Sequence, residues 1–383
     1  MKFRRRKHSR KLSTPSTLLL RWGSWVSTAP ENRETPLANV QSWVTPNPWF
    51  FVRSHFQNPD VDLESWRLNI SGSVERELNL SRDQINSLPQ RSVFSTIECA
   101  GNGRSFLKEP VEGVQWTAGA VGHAEWSGVP LKYVIEEAGL KPETVEIVFE
   151  GADRGIEKGD TNPIPFARSL PVEKALHPDT LLAVRMNGQT LEPSHGFPVR
   201  LLVPGWYGVA SVKWLTRIEA VTTRFQGYFQ NVKYTIQRPT GRGVQTESVG
   251  PMPVKSEVIR PADDAVLGVG TNRVFGMAWA GESAISSVEV SVDGGEYWQR
   301  AELNGPRAPY SWTLWEFLWR VDAPGEYSIL SRAISESGHI QPIEHDRNRG
   351  GYLITFSRPT RITIDADLES QDLLGDTKAL ESE

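Results

Sequence analysis

Cysteine is almost missing from this chain: Cys99 is the single one in 383 residues. That count excludes an intrachain disulfide framework, and it excludes zinc or iron–sulfur sites built from several cysteines. Long apolar runs are missing too. The stretch behind the N-terminal residues, Leu18-Leu19-Leu20, is cut at once by Arg21, so no membrane span is expected and an export signal has little support. The expected compartment is the cytoplasm, with the periplasm as the alternative. Net charge is also small: 42 basic against 46 acidic residues leave −4, which gives no reason to expect nucleic acid as a partner. No internal repeat is visible.

Aromatic bulk is what the chain has. Fourteen tryptophans imply large, rigid packing surfaces. An apolar content of 38% and a mean hydropathy of −0.39 describe an ordinary folded protein, and 42.9 kDa leaves room for two cores.

The informative stretch is 93–107. Val93, Phe94, Thr96 and Ile97 read as a strand, and Cys99 stands where it ends. Ala-Gly-Asn-Gly-Arg follows, a loop in which Gly101 and Gly103 permit close backbone approach and Arg104 brings a cation near the thiol. A lone cysteine in this setting fits three roles: a small buried hydrophobe, a nucleophile beside an arginine, or a soft metal ligand beside an anion site.

Seven basic residues without an acid fill positions 1–12, which reads as a solvated basic tail, and 28–40 as an irregular extended arm. Pro46-Asn47-Pro48 introduces Trp49-Phe50-Phe51-Val52-Arg53-Ser54-His55, an apolar segment ending in a cation and an imidazole. Trp66–Ser73 has strand character, and Ser81 caps a short helix that stops before Pro89. Leu131, Val134, Ile135 and Ala138 make one apolar helix face before Gly139. Val145–Phe149 is a short strand leading to Asp153, and 154–169 is a loop rich in glycine and proline. The block His195 to Leu215 holds a strand in which Arg200 faces away from Val199, Leu201 and Val203; Ser211 and Lys213 then add donors. His195, Arg200 and Lys213 together suit a bound phosphate, although a polar strand face balancing acids is the plainer alternative. Residues 238–255 read as a linker. Beyond it, Val288, Val290 and Val292 alternate before Asp293-Gly294-Gly295, and Tyr327–Ala333 follows a second turn, so 255–365 is expected to be an immunoglobulin-type β-sandwich. The tail from Asp365 carries seven acids against Lys378 and is expected to be solvated.

These stretches resemble the sulfite oxidase family. Cys99-Ala-Gly-Asn-Gly-Arg104 is similar to its Cys-Ala-Gly-Asn-x-Arg signature, and Phe50-Phe-Val-Arg-Ser-His55 to its Phe-x-Val-Arg-Asn-His segment. Gln115 to Leu131 resembles its Trp-Thr-Gly-Ala pattern leading into Trp-x-Gly-Val-x-Leu. The block 195–214 follows His-Gly-Phe-Pro-Val-Arg…Pro-Gly…Gly…Ser-Val-Lys-Trp, and Gln226 to Tyr234 looks like the plant-type form.

The resemblance, covering about 44–365, implies an α+β fold: a molybdenum-cofactor domain (44–240) followed by an immunoglobulin-like dimerisation domain (255–365), between an N-terminal tail and arm (1–43) and an acidic tail (366–383). It implies molybdenum with molybdopterin, the metal on Cys99 and the pterin held by Phe51, Arg53, His55, Asp153, His195, Arg200, Ser211 and Lys213. Arg53 and Arg104 would grip a small anion, and Tyr234 would donate a hydrogen bond at the reacting group. No haem or flavin domain is expected. The implied activity is oxidation of sulfite to sulfate by oxygen-atom transfer in a homodimer, with electrons leaving to an external acceptor such as a cytochrome. The alternatives are a sulfoxide or nitrate reductase with the same cofactor, a cysteine-nucleophile enzyme, and a non-enzymatic binding protein. Two positions depart from the pattern. Gly103 stands where the family often has a basic residue. Thr313, in Trp312-Thr313-Leu314-Trp315, stands where an arginine of a Trp-Arg-Leu-Trp motif would reach the pocket.

Overall fold

The computed structural model describes residues 24–157, 159 and 161–369. The basic tail 1–12 and most of the acidic tail, 370–383, lie outside the described residues. Among those residues the chain is mostly sheet with a few short helices, and no helix is long and apolar enough to cross a membrane.

Two five-stranded sheets build the first domain. In one, Val121–Pro130 lies antiparallel to both Arg91–Glu98 and Leu181–Met186, and Arg200–Leu202 pairs with the latter. In the other, Leu215–Val221 lies parallel to Leu68–Gly72 and antiparallel to Glu146–Gly155, which pairs onward with Ile164–Pro171. The helices are local consequences of the sequence. Ser81 accepts from the Gln84 amide while the Gln84 side chain accepts from the Ser81 amide, a complete capping box on Arg82–Ser87. Leu131–Ala138 buries Leu131, Val134, Ile135 and Ala138 and ends at Gly139, whose φ of 73° is left-handed. Each of the three larger side chains stabilises by roughly 1.5–3 kcal/mol through that burial.

Three stretches differ from their expected form. The arm is ordered through Glu31–Glu34, which pairs with Val52–Arg53, and Asn32, Arg33 and Glu34 are buried. The glycine- and proline-rich loop ends early, because Ile164–Pro171 is a strand whose inward residues have no alternating pattern. The stretch expected as a linker, 238–255, is instead largely occupied by the hairpin Thr235–Thr240 with Gly243–Ser248, which begins ahead of it. Its strands are largely exposed, so no hydrophobic alternation announces them.

The second domain is organised around Ala265–Trp279. Ala265 to Val269 pair with Thr360–Glu369, and Gly270 to Ala278 pair with Thr313–Val321. The strand therefore changes neighbours at Gly270, whose φ of 115° suits glycine. Val274, Val288, Val290, Trp315, Trp319, Ile329 and Ile362 fill the core between the layers. The partition between domains is not a gap. Met277, Trp279, Trp312 and Leu314 pack into the same apolar cluster as Val121, Tyr207 and Met252.

Candidate active site

A cleft enclosing about 670 Å³ of space, part of it open to solvent, collects residues from both sheets of the first domain. Cys99 reaches it because the Arg91–Glu98 strand ends one residue earlier. The thiol is buried, 7% exposed, and free. Its loop is tightly tied: the Cys99 amide donates to Ala120 O at 2.9 Å, and the Asn102 amide donates back to Cys99 O at 2.9 Å. The Val52–Arg53 strand delivers Arg53 and His55 to the same space, with Phe50 and Phe51 beside them. Asp153 sits where the pairing of Glu146–Gly155 shifts register, so a bulge aims its carboxylate inward.

Lys213 is the best-anchored cation. Its Nζ donates to Ser54 Oγ at 3.0 Å and to Ser194 O at 2.9 Å, and it stands 4.1 Å from the centre of the Trp214 indole. An ammonium has three protons, so one donor is left for the cleft. Arg200 donates to His195 O and Ser211 O, each at 3.1 Å, and lies over Trp126 at 4.9 Å; its buried Nε has no partner. His195 Nε2 approaches Asn47 O at 3.3 Å. Ser211 Oγ accepts from the Val203 amide at 3.0 Å, so that hydroxyl shapes the turn as well as facing the cleft.

Burial sets the electrostatics. It pushes His195 down to about 3, with Arg200 and Lys213 adding to the effect, and it lowers Arg200 to about 9. Burial also lowers Lys213, reinforced by Arg200 and opposed by Asp153. Asp153 moves the other way, raised by burial and only partly restrained by Lys213. Burial is the main cause throughout, and the mutual repulsion of His195, Arg200 and Lys213 adds to it, so an anion bound among them would be favoured. The single carboxylate among the cleft residues is Asp153, whose buried Oδ1 has no hydrogen-bond partner.

Tyr234 enters from behind the short Tyr228–Asn231 helix and meets His55 Nε2 at 2.6 Å. Burial raises the phenol to about 12 against Arg53, the largest opposing influence. Burial likewise holds His55 well below the ordinary imidazole range, with Arg53 next.

Of the sequence candidates, Phe51, Arg53, His55, Cys99, Asp153, His195, Arg200, Ser211, Lys213 and Tyr234 all line the cleft. Arg104 stands apart from its lining. Its guanidinium donates to Gly351 O at 3.2 and 2.9 Å and to Val114 O at 2.7 Å. It also lies 5.5 Å from the Tyr352 ring, which is 5.0 Å from Tyr234. Arg104 thus reaches the cleft through Tyr352. Thr313 itself does not line the cleft: it is buried in a strand opposite Ala278, next to Trp312, whose indole donates to Trp43 O. From the second domain, Gly351 and Tyr352 approach the site through Arg104 and Tyr234. Tyr352, Ser54, Ser194 and Trp214 were missed. Ser54 and Trp214 lie inside the family-like motifs and Ser194 adjoins one, but Tyr352 carries no local signal.

A phosphate-bearing, sulfur-ligating group fits this cleft: unpaired donors on Lys213 and Arg200 and a soft, free thiol. Among the described residues, no group of three or more His, Cys, Asp or Glu could hold a metal, which leaves Cys99 as the soft ligand in the cleft.

Comparison with known proteins agrees with the geometry. The family model of the oxidoreductase molybdopterin binding domain matches residues 55–229, and that of the Mo-co oxidoreductase dimerisation domain matches 246–357. Chicken (Gallus gallus) sulfite oxidase is 36% identical over 82% of this chain and 72% of its own length. The chain belongs to the sulfite oxidase family. Mouse (Mus musculus) mitochondrial sulfite oxidase is 35% identical over 82% of this chain, which spans only 60% of that protein. A soybean (Glycine max) inducible NADH nitrate reductase is 30% identical over 82% of this chain and 39% of its own length. Among solved structures, the sulfane dehydrogenase SoxCD of Paracoccus pantotrophus superposes with a TM-score of 0.79 at 29% identity, covering 94% of this chain and 92% of that one.

Proposed function

We propose that this chain oxidises sulfite to sulfate: sulfite and water become sulfate, two protons and two electrons, and the electrons pass to an external acceptor. The observation that carries this reading is the gathering of Arg53, Lys213 and Tyr234 around Cys99 in one cleft with a single carboxylate. Cys99 would hold molybdenum through its thiolate, and His195, Arg200, Ser211 and Lys213 would hold the phosphate and pterin of molybdopterin. When bound, that group supplies the redox change and the oxygen transfer.

The chain's own residues bind and orient. Arg53, half-buried at the cleft wall, offers planar donors to a sulfur oxyanion. In the tautomer with its proton on Nε2, neutral His55 donates to the Tyr234 oxygen 2.6 Å away and leaves the phenol proton free for the substrate oxygen. Phe50, Phe51 and Phe166 line the apolar side of the cleft and exclude water there.

The nitrate reductase likeness supports a second reading, reduction of an oxyanion in the same cleft. One preparation decides between them: molybdenum and pterin content, expected at about one per chain, then acceptor reduction by sulfite against donor oxidation by nitrate or methionine sulfoxide. Turnover of either oxidised substrate with sulfite inert would replace the first reading by the second.

A further inference from the structure

Glu98, the residue before Cys99, is buried, and so is every partner it has. Its Oε1 accepts from Asn102 Nδ2 at 3.0 Å and from Lys255 Nζ at 3.0 Å. Its Oε2 accepts from Trp279 Nε1 at 2.9 Å. Asn102 belongs to the Cys99 loop, and its Oδ1 accepts from the Ala120 amide at 3.0 Å. Lys255 and Trp279 belong to the second domain, on strands that pair with each other directly, Lys255 opposite Trp279.

We infer that Lys255 and Trp279 are positioning residues for the Cys99 loop, acting across the domain boundary through Glu98. This rests on the reading above that Cys99 holds the metal.

Two further second-domain contacts hold the same loop. The Leu353 amide donates to Ala100 O at 2.9 Å, and Gly351 O accepts from Arg104. The loop is therefore fixed from behind by residues more than 150 positions away, while its front faces the cleft. Stability alone does not call for this arrangement. The side chains of Lys255 and Glu98 are 1% and 2% exposed, and apolar residues of similar volume would cost no desolvation. What the carboxylate adds is direction: three donors from three segments meet at one residue and set the register of the next. Charge is balanced locally, because Lys255 also meets Glu257 at 3.4 Å, and Glu257 meets Arg358 at 3.8 Å. The second domain thus completes the site as well as flanking it.

The test compares Trp279→Phe and Glu98→Gln with Glu257→Gln. The control alters a second buried carboxylate whose ion-pair partners, Lys255 and Arg358, both belong to the second domain. In full chain purified without cofactor, the rate of Cys99 alkylation by iodoacetamide should rise at least about tenfold in the first two variants, as expected for losing a hydrogen bond to a charged group. In the control it should stay near wild type, even if all three melting temperatures fall. In cofactor-loaded protein, the absorption band from thiolate to metal should shift in the first two variants and stay in place in Glu257→Gln. Equal alkylation in all variants, or an equal rise in the control, overturns the positioning role. A wild-type protein with molybdenum bound but no thiolate band overturns the metal reading instead, and the alkylation ratio still decides whether the second domain fixes the loop.

Discussion

The Nε2 of His55 lies 2.6 Å from the hydroxyl of Tyr234, although 179 positions separate them. The pair is closed in by Phe166 and Phe229, whose rings stand 4.7 and 4.8 Å from the imidazole. Burial displaces both titrations outward, His55 downward and Tyr234 to about 12. At neutral pH the pair is a neutral imidazole and an intact phenol. Neither gains or loses its proton near neutrality, so this pair should contribute no bell to kcat between about pH 6.5 and 9. Tyr234→Phe should lower kcat by roughly ten- to hundredfold with little change in KM, because the lost donor acts in the transition state. A raised KM with unchanged kcat would make Tyr234 a binding group only.

Cys99→Ser tests the metal ligand. The fold should persist, since the loop is held by backbone and Asn102 contacts that do not involve the sulfur. Molybdenum retention should fall, a hydroxyl being a harder and weaker ligand. The measurement is metal per chain after gel filtration, alongside turnover. Full metal content and full turnover would remove Cys99 from the centre.

Arg53 and Arg104 should part company. Arg53 lines the cleft, so Arg53→Gln should raise KM by roughly ten- to hundredfold, the loss of one charge-assisted hydrogen bond at about 1.5–3 kcal/mol. Arg104 binds Gly351 O and Val114 O, and Arg104→Gln leaves those carbonyls short of donors. Its melting temperature should drop by several degrees, with kcat following through Tyr352 and Tyr234. A stable Arg104→Gln protein with only a raised KM would place that guanidinium on the substrate.

Much of the site was legible because its residues stand at strand ends inside contiguous motifs, where glycine, a lone thiol and clustered cations are unusual together. The helix at Leu131–Ala138 was legible for a different reason, its four buried positions falling on one face. What stayed hidden was non-local. The Glu31–Glu34 strand carries no apolar alternation, being held by pairing with Val52–Arg53 and by the ion pair of buried Arg33 with half-buried Glu31 at 2.9 Å. Tyr352 and Lys255 act from the second domain, and nothing adjacent to them in sequence points at Cys99.

The matched dimerisation domain predicts a dimer for the intact chain. Light scattering at micromolar concentration should give twice the 42.9 kDa chain mass. A monomer at that concentration would refute association through the second domain.

His123 predicts how stability responds to acid. It is buried between Trp43, Phe94 and Trp312, with ring centres 4.6, 6.0 and 5.4 Å away. Thr96 Oγ1 meets its Nδ1 at 3.2 Å, while Nε2 has no partner. Burial drives this imidazole down to about 3, against a small opposing contribution from the Ser95 backbone. In the unfolded chain it titrates near its ordinary value of 6.5. Between those two values the unfolded state holds a proton that the folded state does not, so stability rises with pH there. The contribution is complete above about 6.5 and is lost as pH falls toward 3, by up to about 1.4 kcal/mol per pH unit. Denaturant unfolding of wild type and His123→Gln at about pH 7 and pH 5 should therefore converge: the variant is weaker at the higher pH through lost ring packing, and it loses less on acidification. Parallel losses in the two proteins would mean that His123 accepts a proton inside the folded aromatic cluster.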